Sequence, residues 1–201
     1  MKTTEFWKGK DGDEYTYRNE DFSISANLAF FSEALKHMGP ISDIKEYGCN
    51  IGLNLIALDM LYPTVDIYGA DINESALDYL ARHNSKITVI KEDITGPGWD
   101  NLCDLVFTKG VLIHVDPNEL KAAYKKLYET SAQYILIAEY YNPTPVMIPY
   151  RGKDNLLWKR DFAGEMMDMY PDLKLLDYGF WYRRDKHRQD DITYFLMEKG
   201  E

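Results

Sequence analysis

The sequence of 201 residues predicts an α/β fold, built on a seven-stranded and mostly parallel sheet with an antiparallel C-terminal hairpin and helices on both faces. Short apolar runs rich in branched and aromatic residues alternate with stretches of helical periodicity, which is typical of parallel strands joined by covering helices. The alternation stops after five such runs, and two longer strand-like runs joined by a charged link follow. A glycine-rich turn follows the first strand, where sheets of this kind bind ligands.

The strands and helices follow from these patterns in chain order. The predicted parallel strands are Ile44 to Tyr47, Val65 to Ala70, Ile87 to Lys91, Asp104 to Thr108, and Tyr134 to Glu139. The hairpin strands are Leu173 to Tyr182 and Ile192 to Glu198. The predicted helices are Gly52 to Tyr62, Glu74 to His83 with Asn73 as N-cap, Asp116 to about Thr130, and about Asn155 to Tyr170. Only DITGPGWDNLC separates the third strand from the fourth, so no full helix fits there.

The chain divides into residues 1–40, an N-terminal lid and helical extension, and residues 41–201, the sheet domain. FSISANLAFFSEALKHM has helical periodicity and ends before Gly39-Pro40. The preceding FWKGKDGDEYTYRN is rich in aromatic and charged residues. As a lid it would cover a bound ligand with Trp7, Tyr15 or Tyr17 and reach it with Arg18 or Asn19. The alternative is an extension that only packs against the sheet.

Composition excludes several classes of partner. The net charge of −10 disfavours binding to duplex DNA or bulk RNA, because an acidic protein repels a phosphate backbone. Cys49 and Cys103 have neither disulfide-framework nor metal-ligand spacing, which fits a reducing compartment. The N-terminus lacks the apolar segment of a signal peptide, and no apolar run approaches the roughly 20 residues of a membrane span. We therefore expect a cytoplasmic protein with no DNA or membrane partner and no metal.

The segment EYGCNIGLN indicates a ligand site. A strand that runs into GCNIG and then a helix presents bare backbone amides and the positive end of a helix dipole. Asp71 ends the next strand, where nucleotide-binding folds place an acid that accepts hydrogen bonds from ribose hydroxyls. Asp93 ends the third strand, where a carboxylate can face the amino group of adenine. Each feature alone also fits a tight turn or a helix cap, but together they predict a nucleoside ligand.

The dinucleotide pattern G-x-G-x-x-G is absent, since positions 48, 50 and 53 are Gly48, Asn50 and Leu53. Hydride transfer with a nicotinamide cofactor is therefore disfavoured. The segment Glu46-Tyr47-Gly48-Cys49-Asn50-Ile51-Gly52 is instead similar to the first motif of class I S-adenosylmethionine-dependent methyltransferases, an acid and a spacer followed by G-x-G-x-G, with Asn50 in place of the middle glycine.

This resemblance covers roughly residues 43–198 and implies a Rossmann-like sheet, S-adenosyl-L-methionine as cofactor and S-adenosyl-L-homocysteine as product. It makes Asp71 the ribose ligand and Asp93, with Ile94, the adenine contact. The full set of expected cofactor-binding residues is Glu46, Gly48, Cys49, Asn50, Gly52, Asn54, Asp71, Ile72, Asn73, Asp93, Ile94 and Lys109, joined by Tyr15, Arg18 and Asn19 of the lid.

The flanking segments FWKGKDGDEYTYRN, EYYNPTPVMIPYRG and WKRDFAGE resemble those of the methylases associated with pseudaminic acid biosynthesis. That resemblance implies a sugar-like small-molecule acceptor. Independently of it, the proline-stiffened loop after the fifth strand would present Tyr140, Tyr141 and Asn142 to an acceptor. The expected ligands of an acceptor carboxylate or phosphate are Arg151, Lys159 and Arg160.

His114, just beyond the fourth strand, is the candidate general base, with Tyr140 and Tyr141 as further catalytic candidates. A histidine in an apolar run can equally be a hydrogen-bonded core residue. The end of the fourth strand, Thr108-Lys109-Gly110-Val111, lacks the motif of DNA amino-methyltransferases. Methylation of protein or RNA, and nucleoside binding without turnover, remain open.

Overall fold

The computed structural model describes residues 3–18, 24–97 and 101–200, with Tyr17 and Arg18 described by their backbone only. The helices are α1 Thr3–Lys8, α2 Lys10–Arg18, α3 Ile24–Ala34, α4 Leu53–Leu61, α5 Glu74–His83, α6 Leu120–Thr130 and α7 Phe162–Met169. The strands are β1 Asp43–Tyr47, β2 Asp66–Asp71, β3 Ile87–Lys91, β4 Cys103–Lys109, β5 Ser131–Glu139, β6 Val146–Met147, β7 Trp158–Lys159, β8 Leu173–Trp181 and β9 Ile192–Lys199. One 3₁₀ turn spans Leu112–His114.

Seven strands form one sheet in the order β3-β2-β1-β4-β5-β9-β8. Strands β1 to β5 are parallel to one another, and β9 is antiparallel to both β5 and β8. β6 and β7 form a separate two-stranded sheet. The predicted fold class is therefore confirmed. Within the part of the chain that is described, no helix is long and apolar enough to cross a membrane.

Apolar side chains are buried on both faces of the sheet. On one face, α3, α4 and α5 contribute Phe31, Leu58 and Leu80 to a single buried cluster. On the other, α6 and α7 contribute Tyr124 and Phe162. Full burial of a side chain of this size stabilises the fold by about 1.5–3 kcal/mol, so covering both faces supplies most of the driving force.

Two predicted helix starts are wrong. Helix α6 begins at Leu120 because Asp116 instead accepts a hydrogen bond from the backbone of Asn118 and closes a turn before the helix. Helix α7 begins at Phe162, since Trp158–Lys159 pairs as β7 with β6. By contrast, the predicted N-cap of α5 is confirmed: Asn73 Oδ1 accepts a hydrogen bond from Ala76 N at 2.9 Å.

A buried ionic cluster lies beneath the loop after β3. Glu92 accepts hydrogen bonds from Lys45 Nζ at 2.6 Å and Lys126 Nζ at 3.1 Å, and Tyr47 Oη lies 3.4 Å from the same carboxylate. Lys45 is fully buried, and the loss of water lowers its pKa. Because an unpaired buried charge is costly, this pairing holds Glu92 in place and with it the adjacent Asp93.

Candidate active site

A cavity of about 590 Å³ opens at the carboxyl ends of the parallel strands. Its walls are the turns after β1 to β4, helices α1 to α3, and the β8–β9 link, residues 182–191. The structure brings most of the predicted cofactor-binding residues onto these walls: Tyr15, Gly48, Cys49, Asn50, Asn54, Asp71, Ile72, Asn73, Asp93, Ile94 and Lys109.

The two glycines of the turn are explained by packing as well as by backbone conformation. Gly48 and Gly52 have φ angles of 75° and 77°, which side chains rarely adopt. A Cβ on Gly48 would lie 2.4 Å from Val111 Cγ2, and one on Gly52 would lie 2.5 Å from Leu80 Cδ1. Gly48 therefore lets the turn after β4 approach β1, whereas Gly52 lets α5 pack against the start of α4.

Asn50 holds the position of the missing middle glycine in the left-handed conformation, with φ 47°. Asparagine tolerates this region because its short side chain bonds locally, and Oδ1 accepts from the backbone of Ile51 at 2.8 Å. Asp71 fixes the same turn: its carboxylate accepts from Asn50 N at 2.8 Å and Asn73 N at 2.9 Å. Burial raises the pKa of Asp71. The replacement of glycine thus leaves the turn intact.

At the end of β3, Asp93 is held in position from two sides. Its Oδ1 accepts hydrogen bonds from the backbone and hydroxyl of Thr95, at 3.0 and 2.8 Å. Its Oδ2 lies 3.6 Å from Lys8 Nζ of α1. The predicted adenine contact is therefore also a point of attachment for the N-terminal helix.

The opposite part of the site contains a buried acid and an amine. Glu46 is fully buried and accepts a hydrogen bond from Asn54 Nδ2 at 2.6 Å. Its second oxygen, Oε2, has no hydrogen-bond partner among the described residues. Burial raises the pKa of Glu46 to about 8 and lowers that of Lys109 to about 8. Lys109 Nζ lies 3.4 Å from Asn27 Oδ1 of α3. A cationic ligand group beside Glu46 would favour its carboxylate and so release a proton.

Helices α1 and α2 dock onto the same wall. Asn73 Nδ2 donates to Trp7 O at 3.1 Å and to Asp13 Oδ1 at 3.0 Å, and Asn50 Nδ2 donates to Thr16 Oγ1 at 3.3 Å. A Cβ on Gly12 would lie 2.0 Å from the Trp7 carbonyl oxygen, so only glycine allows this approach. Asn19 and the side chains of Tyr17 and Arg18 lie outside the described residues.

His114 lies on the cavity wall with a defined tautomer. Its Nδ1 is 2.6 Å from the carbonyl oxygen of Leu156, so Nδ1 carries the hydrogen and the lone pair belongs to Nε2. Its ring centroid lies 4.6 Å from that of Trp7 and 5.0 Å from that of Tyr150. Burial lowers the pKa of His114 to about 4, which leaves the imidazole neutral at physiological pH. The sequence placed this histidine correctly at the ligand edge.

Sequence reasoning missed Glu139, which positions His114. This acid at the end of β5 is buried and accepts hydrogen bonds from the backbone of Val111, Leu112 and Ile113, at 3.0, 3.0 and 3.4 Å. It therefore caps the 3₁₀ turn that carries His114. Burial raises the pKa of Glu139 to about 7. A charged residue at the end of an otherwise apolar strand is the sequence signal for this role.

Glu139→Ala should lower the free energy of unfolding by about 3 kcal/mol or more, because it leaves buried backbone N–H groups without an acceptor. Glu139→Gln keeps one acceptor oxygen and should lose distinctly less. Urea unfolding followed by circular dichroism measures both. Equal losses in the two variants would show that the side chain does not cap the turn.

The other residues that were predicted to contact the methyl acceptor or to act in catalysis lie away from the cavity wall. Tyr141 is 41% exposed and packs against Phe195. Tyr140 Oη donates to Asp190 Oδ2 at 2.7 Å. Asn142 bonds to the backbone of Thr144. The basic residues are also engaged elsewhere: Arg160 Nε donates to Glu165 at 2.8 Å, while Arg151 and Lys159 lie over the rings of Tyr150 and Tyr140. The structure thus does not bring these six residues to the cavity, which is instead lined on that side by Arg188, Gln189 and Asp190.

The part of the chain that carries the glycine turn is similar in sequence to known proteins. Residues 44–133 match the sequence profile of a family described as a methyltransferase domain. The matched segment contains the glycine turn and both strand-end acids. The match confirms the predicted enzyme class, a methyltransferase. The predicted cofactor agrees with the solved structures of the same fold, which bind S-adenosylmethionine or its product.

Several solved structures have the same fold as this chain. The magnesium protoporphyrin IX methyltransferase of Synechocystis PCC 6803 with bound S-adenosylhomocysteine has a TM-score of 0.69 at 13% identity, covering 98% of this chain and 97% of that one. The 1,6-didemethyltoxoflavin-N1-methyltransferase of Burkholderia thailandensis has a TM-score of 0.70 at 12% identity, covering 94% and 84%. The N-methyltransferase NodS of Bradyrhizobium japonicum WM9 has a TM-score of 0.68 at 15% identity, covering 92% of each. A search of curated proteins gave no significant match.

The residues at the cavity fit S-adenosylmethionine, the predicted cofactor. An unpartnered carboxylate oxygen of Glu46 suits an ammonium group, and the partly buried Lys109 suits a carboxylate. Both groups occur in the amino-acid part of S-adenosylmethionine. No cluster of metal-ligating side chains occurs within residues 3–18, 24–97 and 101–200.

Proposed function

We propose that the protein transfers a methyl group from S-adenosylmethionine to a small polar acceptor held in the same cavity. The observation that carries the proposal is that Asp71, Asp93 and Lys109 line one cavity together with a neutral histidine. The buried Glu46 is joined to this wall through its hydrogen bond from Asn54. Relatives of the same fold methylate a porphyrin and a didemethyltoxoflavin, which supports a small molecule as acceptor.

In this proposal the cofactor lies along the carboxyl ends of β1 to β4. Asp71 binds the ribose hydroxyls and Asp93 with Ile94 contacts the adenine, while Glu46 and Lys109 bind the amino-acid part. When bound, the cofactor supplies a methyl group already activated by its sulfonium. The chain's remaining task is to align the acceptor and exclude water, and such positioning is worth roughly 7–11 kcal/mol.

His114 is the residue that we assign to proton removal from a hydroxyl acceptor. Its Nδ1–H is held by the Leu156 carbonyl, so Nε2 is the atom that receives a proton. A pKa near 4 makes it a weak base in the free enzyme, but it also ensures that Nε2 is unprotonated at neutral pH. Glu139 acts through the backbone by fixing the turn on which His114 lies.

We further propose a sugar-like acceptor in the cytoplasm, with nonulosonic acid or surface glycan biosynthesis as the pathway class. The resemblance of the flanking segments supports this choice. The rings of Trp7, Tyr15 and His114 on the cavity wall support it too, because aromatic rings offer apolar faces beside polar edges. An anionic acceptor group would meet Arg188, rather than the basic residues selected from the sequence.

Calorimetric titration with S-adenosylhomocysteine tests the cofactor site, and Asp71→Ala should weaken binding by at least about 1.5–3 kcal/mol, the range for hydrogen bonds to a charged group. Asp66→Asn, at the opposite end of β2, is the matched control and should leave affinity unchanged. Tight NADH binding without a response to S-adenosylhomocysteine would overturn the assignment.

Transfer of labelled methyl from the cofactor to nonulosonic sugars, free or nucleotide-activated, tests the acceptor. Label that enters only protein or RNA across a matched panel would replace the small-molecule acceptor. Cofactor binding with no transfer to any of these would indicate a nucleoside-binding module.

A further inference from the structure

Besides Glu46 Oε2, three buried polar atoms on two residues of the cavity wall lack hydrogen-bond partners among the described residues. They are Trp7 Nε1 and both amide atoms of Gln189, Nε2 and Oε1. Gln189 and Trp7 both line the cavity. Leaving both ends of a buried amide without protein partners costs stability, because no side chain or backbone group replaces the hydrogen bonds lost on burial. The unpaired amide of Gln189 therefore lowers the stability of the free protein. A ligand group that paired with it would recover these hydrogen bonds.

The link that presents Gln189 is held by its own hydrogen bonds. Trp181 Nε1 donates to His187 O at 2.8 Å, and Arg183 N donates to Asp191 Oδ1 at 2.9 Å. The adjacent Asp190 accepts from Tyr140 Oη. Residues before and after Gln189 are therefore held by hydrogen bonds. The side-chain amide lacks partners although the link itself is well ordered by these contacts.

Gln189 lies far from the end of the site that would hold the nucleoside. The link leads into β9, whereas Asp71 ends β2. β2 and β9 are separated by β1, β4 and β5, so four strand spacings of about 4.8 Å put the two ends roughly 19 Å apart. A nucleoside bound by Asp71 therefore lies at the other end of the cavity, and Gln189 faces the acceptor.

We propose that Gln189 determines acceptor specificity by pairing its carboxamide with a neutral acceptor group that both donates and accepts a hydrogen bond, as an amide does. A carboxylate would satisfy Nε2 but face Oε1 with a second acceptor, and an ammonium would satisfy only Oε1. This inference rests on the proposed function and assigns a chemical class to the part of the acceptor beside the β8–β9 link.

The test uses protein saturated with S-adenosylhomocysteine and three small probes, N-methylacetamide, acetate and methylammonium. Ligand-observed saturation-transfer NMR should show contact with N-methylacetamide in preference to both ions. Gln189→Leu, which removes both polar groups at similar size, should abolish that contact while changing the affinity for S-adenosylhomocysteine by less than about twofold. Unchanged contact with N-methylacetamide in this variant would refute the proposal.

A second readout does not depend on any probe. Gln189→Leu should raise the melting temperature of the ligand-free protein, because it removes two unpaired polar groups. The matched control is Gln133→Leu, since Gln133 Nε2 is paired with Tyr134 Oη and Glu198 at 2.9 and 3.1 Å. The control should lower the melting temperature and leave the probe signal intact. A fall in both variants would show that Gln189 is an ordinary structural amide. Failure of the wild-type protein to bind S-adenosylhomocysteine would instead refute the proposed function.

Discussion

Binding of S-adenosylhomocysteine at pH 7 is expected to release about one proton from the wild-type protein and almost none from Glu46→Gln. In the free protein Glu46 has a pKa of about 8 because it is buried, so at pH 7 its carboxyl group is mostly protonated. An ammonium group beside Oε2 would favour the carboxylate and expel that proton. Lys109, also with a pKa of about 8, is already mostly protonated at pH 7 and can take up little.

Calorimetry in buffers of different ionisation enthalpy measures the number of protons released. The release should shrink as the pH rises through 8, because Glu46 is then already ionised. Glu46→Gln should also weaken binding by about 1.5–3 kcal/mol, the range for a hydrogen bond that involves a charged group. Glu33→Gln, an exposed change on α3, is the control. Equal proton release from Glu46→Gln and wild type would assign the titration to another group.

The same variant should differ from wild type in the stability of the free protein. The folded-state pKa of Glu46 lies above its unfolded value of 4.5, so its stabilising contribution is complete below pH 4.5 and is lost as the pH rises through 8. Glu46→Gln removes this loss, and its stability relative to wild type should therefore increase from pH 5 to pH 8. Glu139, with a pKa near 7, adds the same trend to both proteins and cancels in the comparison.

Local sequence patterns were sufficient to predict the strand ends and most of the residues that line this part of the cavity. Asp71 and Asp93 reach the cavity because Asp71 ends β2 and Asp93 lies two residues after the end of β3, and parallel strands share one carboxyl edge. The N-cap of α5 was also predictable, since Asn73 bonds within its own turn. These features depend on residues only a few positions apart.

The features that the sequence did not reveal depend on contacts between distant segments. Glu139 caps a turn about 26 residues before it, and no local pattern links the two. Trp158 and Lys159 leave the helical pattern because they pair with β6. The acceptor loop after β5 has suitable residue types, but tertiary contacts hold it outside the cavity and place Gln189 there instead.

The second large effect concerns the docking of α1 and α2, which we propose act as a lid that excludes water from the bound cofactor. Asn73→Asp should undock them. An aspartate still accepts the hydrogen bond from Ala76 N, so α5 keeps its cap. It cannot donate to Trp7 O or Asp13, however, and it places a second carboxylate beside that of Asp13. Two hydrogen bonds are lost and a like-charge repulsion is gained.

Hydrogen exchange of residues 3–18 should become faster in Asn73→Asp and fail to slow when S-adenosylhomocysteine is added. Cofactor affinity should fall about tenfold or more, because a hydrogen bond to a charged group is worth 1.5 kcal/mol or more and tenfold corresponds to about 1.4 kcal/mol. Turnover should fall further, since water then reaches the transferring group. The melting temperature of the sheet domain should change little.

Asn73 also lines the cavity, so Asn73→Asp could weaken cofactor binding directly. A double variant that exchanges the donor and the acceptor between residues 13 and 73 separates this direct effect from loss of the lid. In the double variant Asn73→Asp with Asp13→Asn, residue 13 donates and residue 73 accepts, so one inter-segment hydrogen bond is restored and the repulsion disappears. Protection of residues 3–18 and cofactor affinity should then recover together. If affinity stays low while protection returns, Asn73 acts directly on the cofactor. If Asn73→Asp leaves exchange in α1 and α2 unchanged, these helices are held by other contacts and do not act as a lid through Asn73.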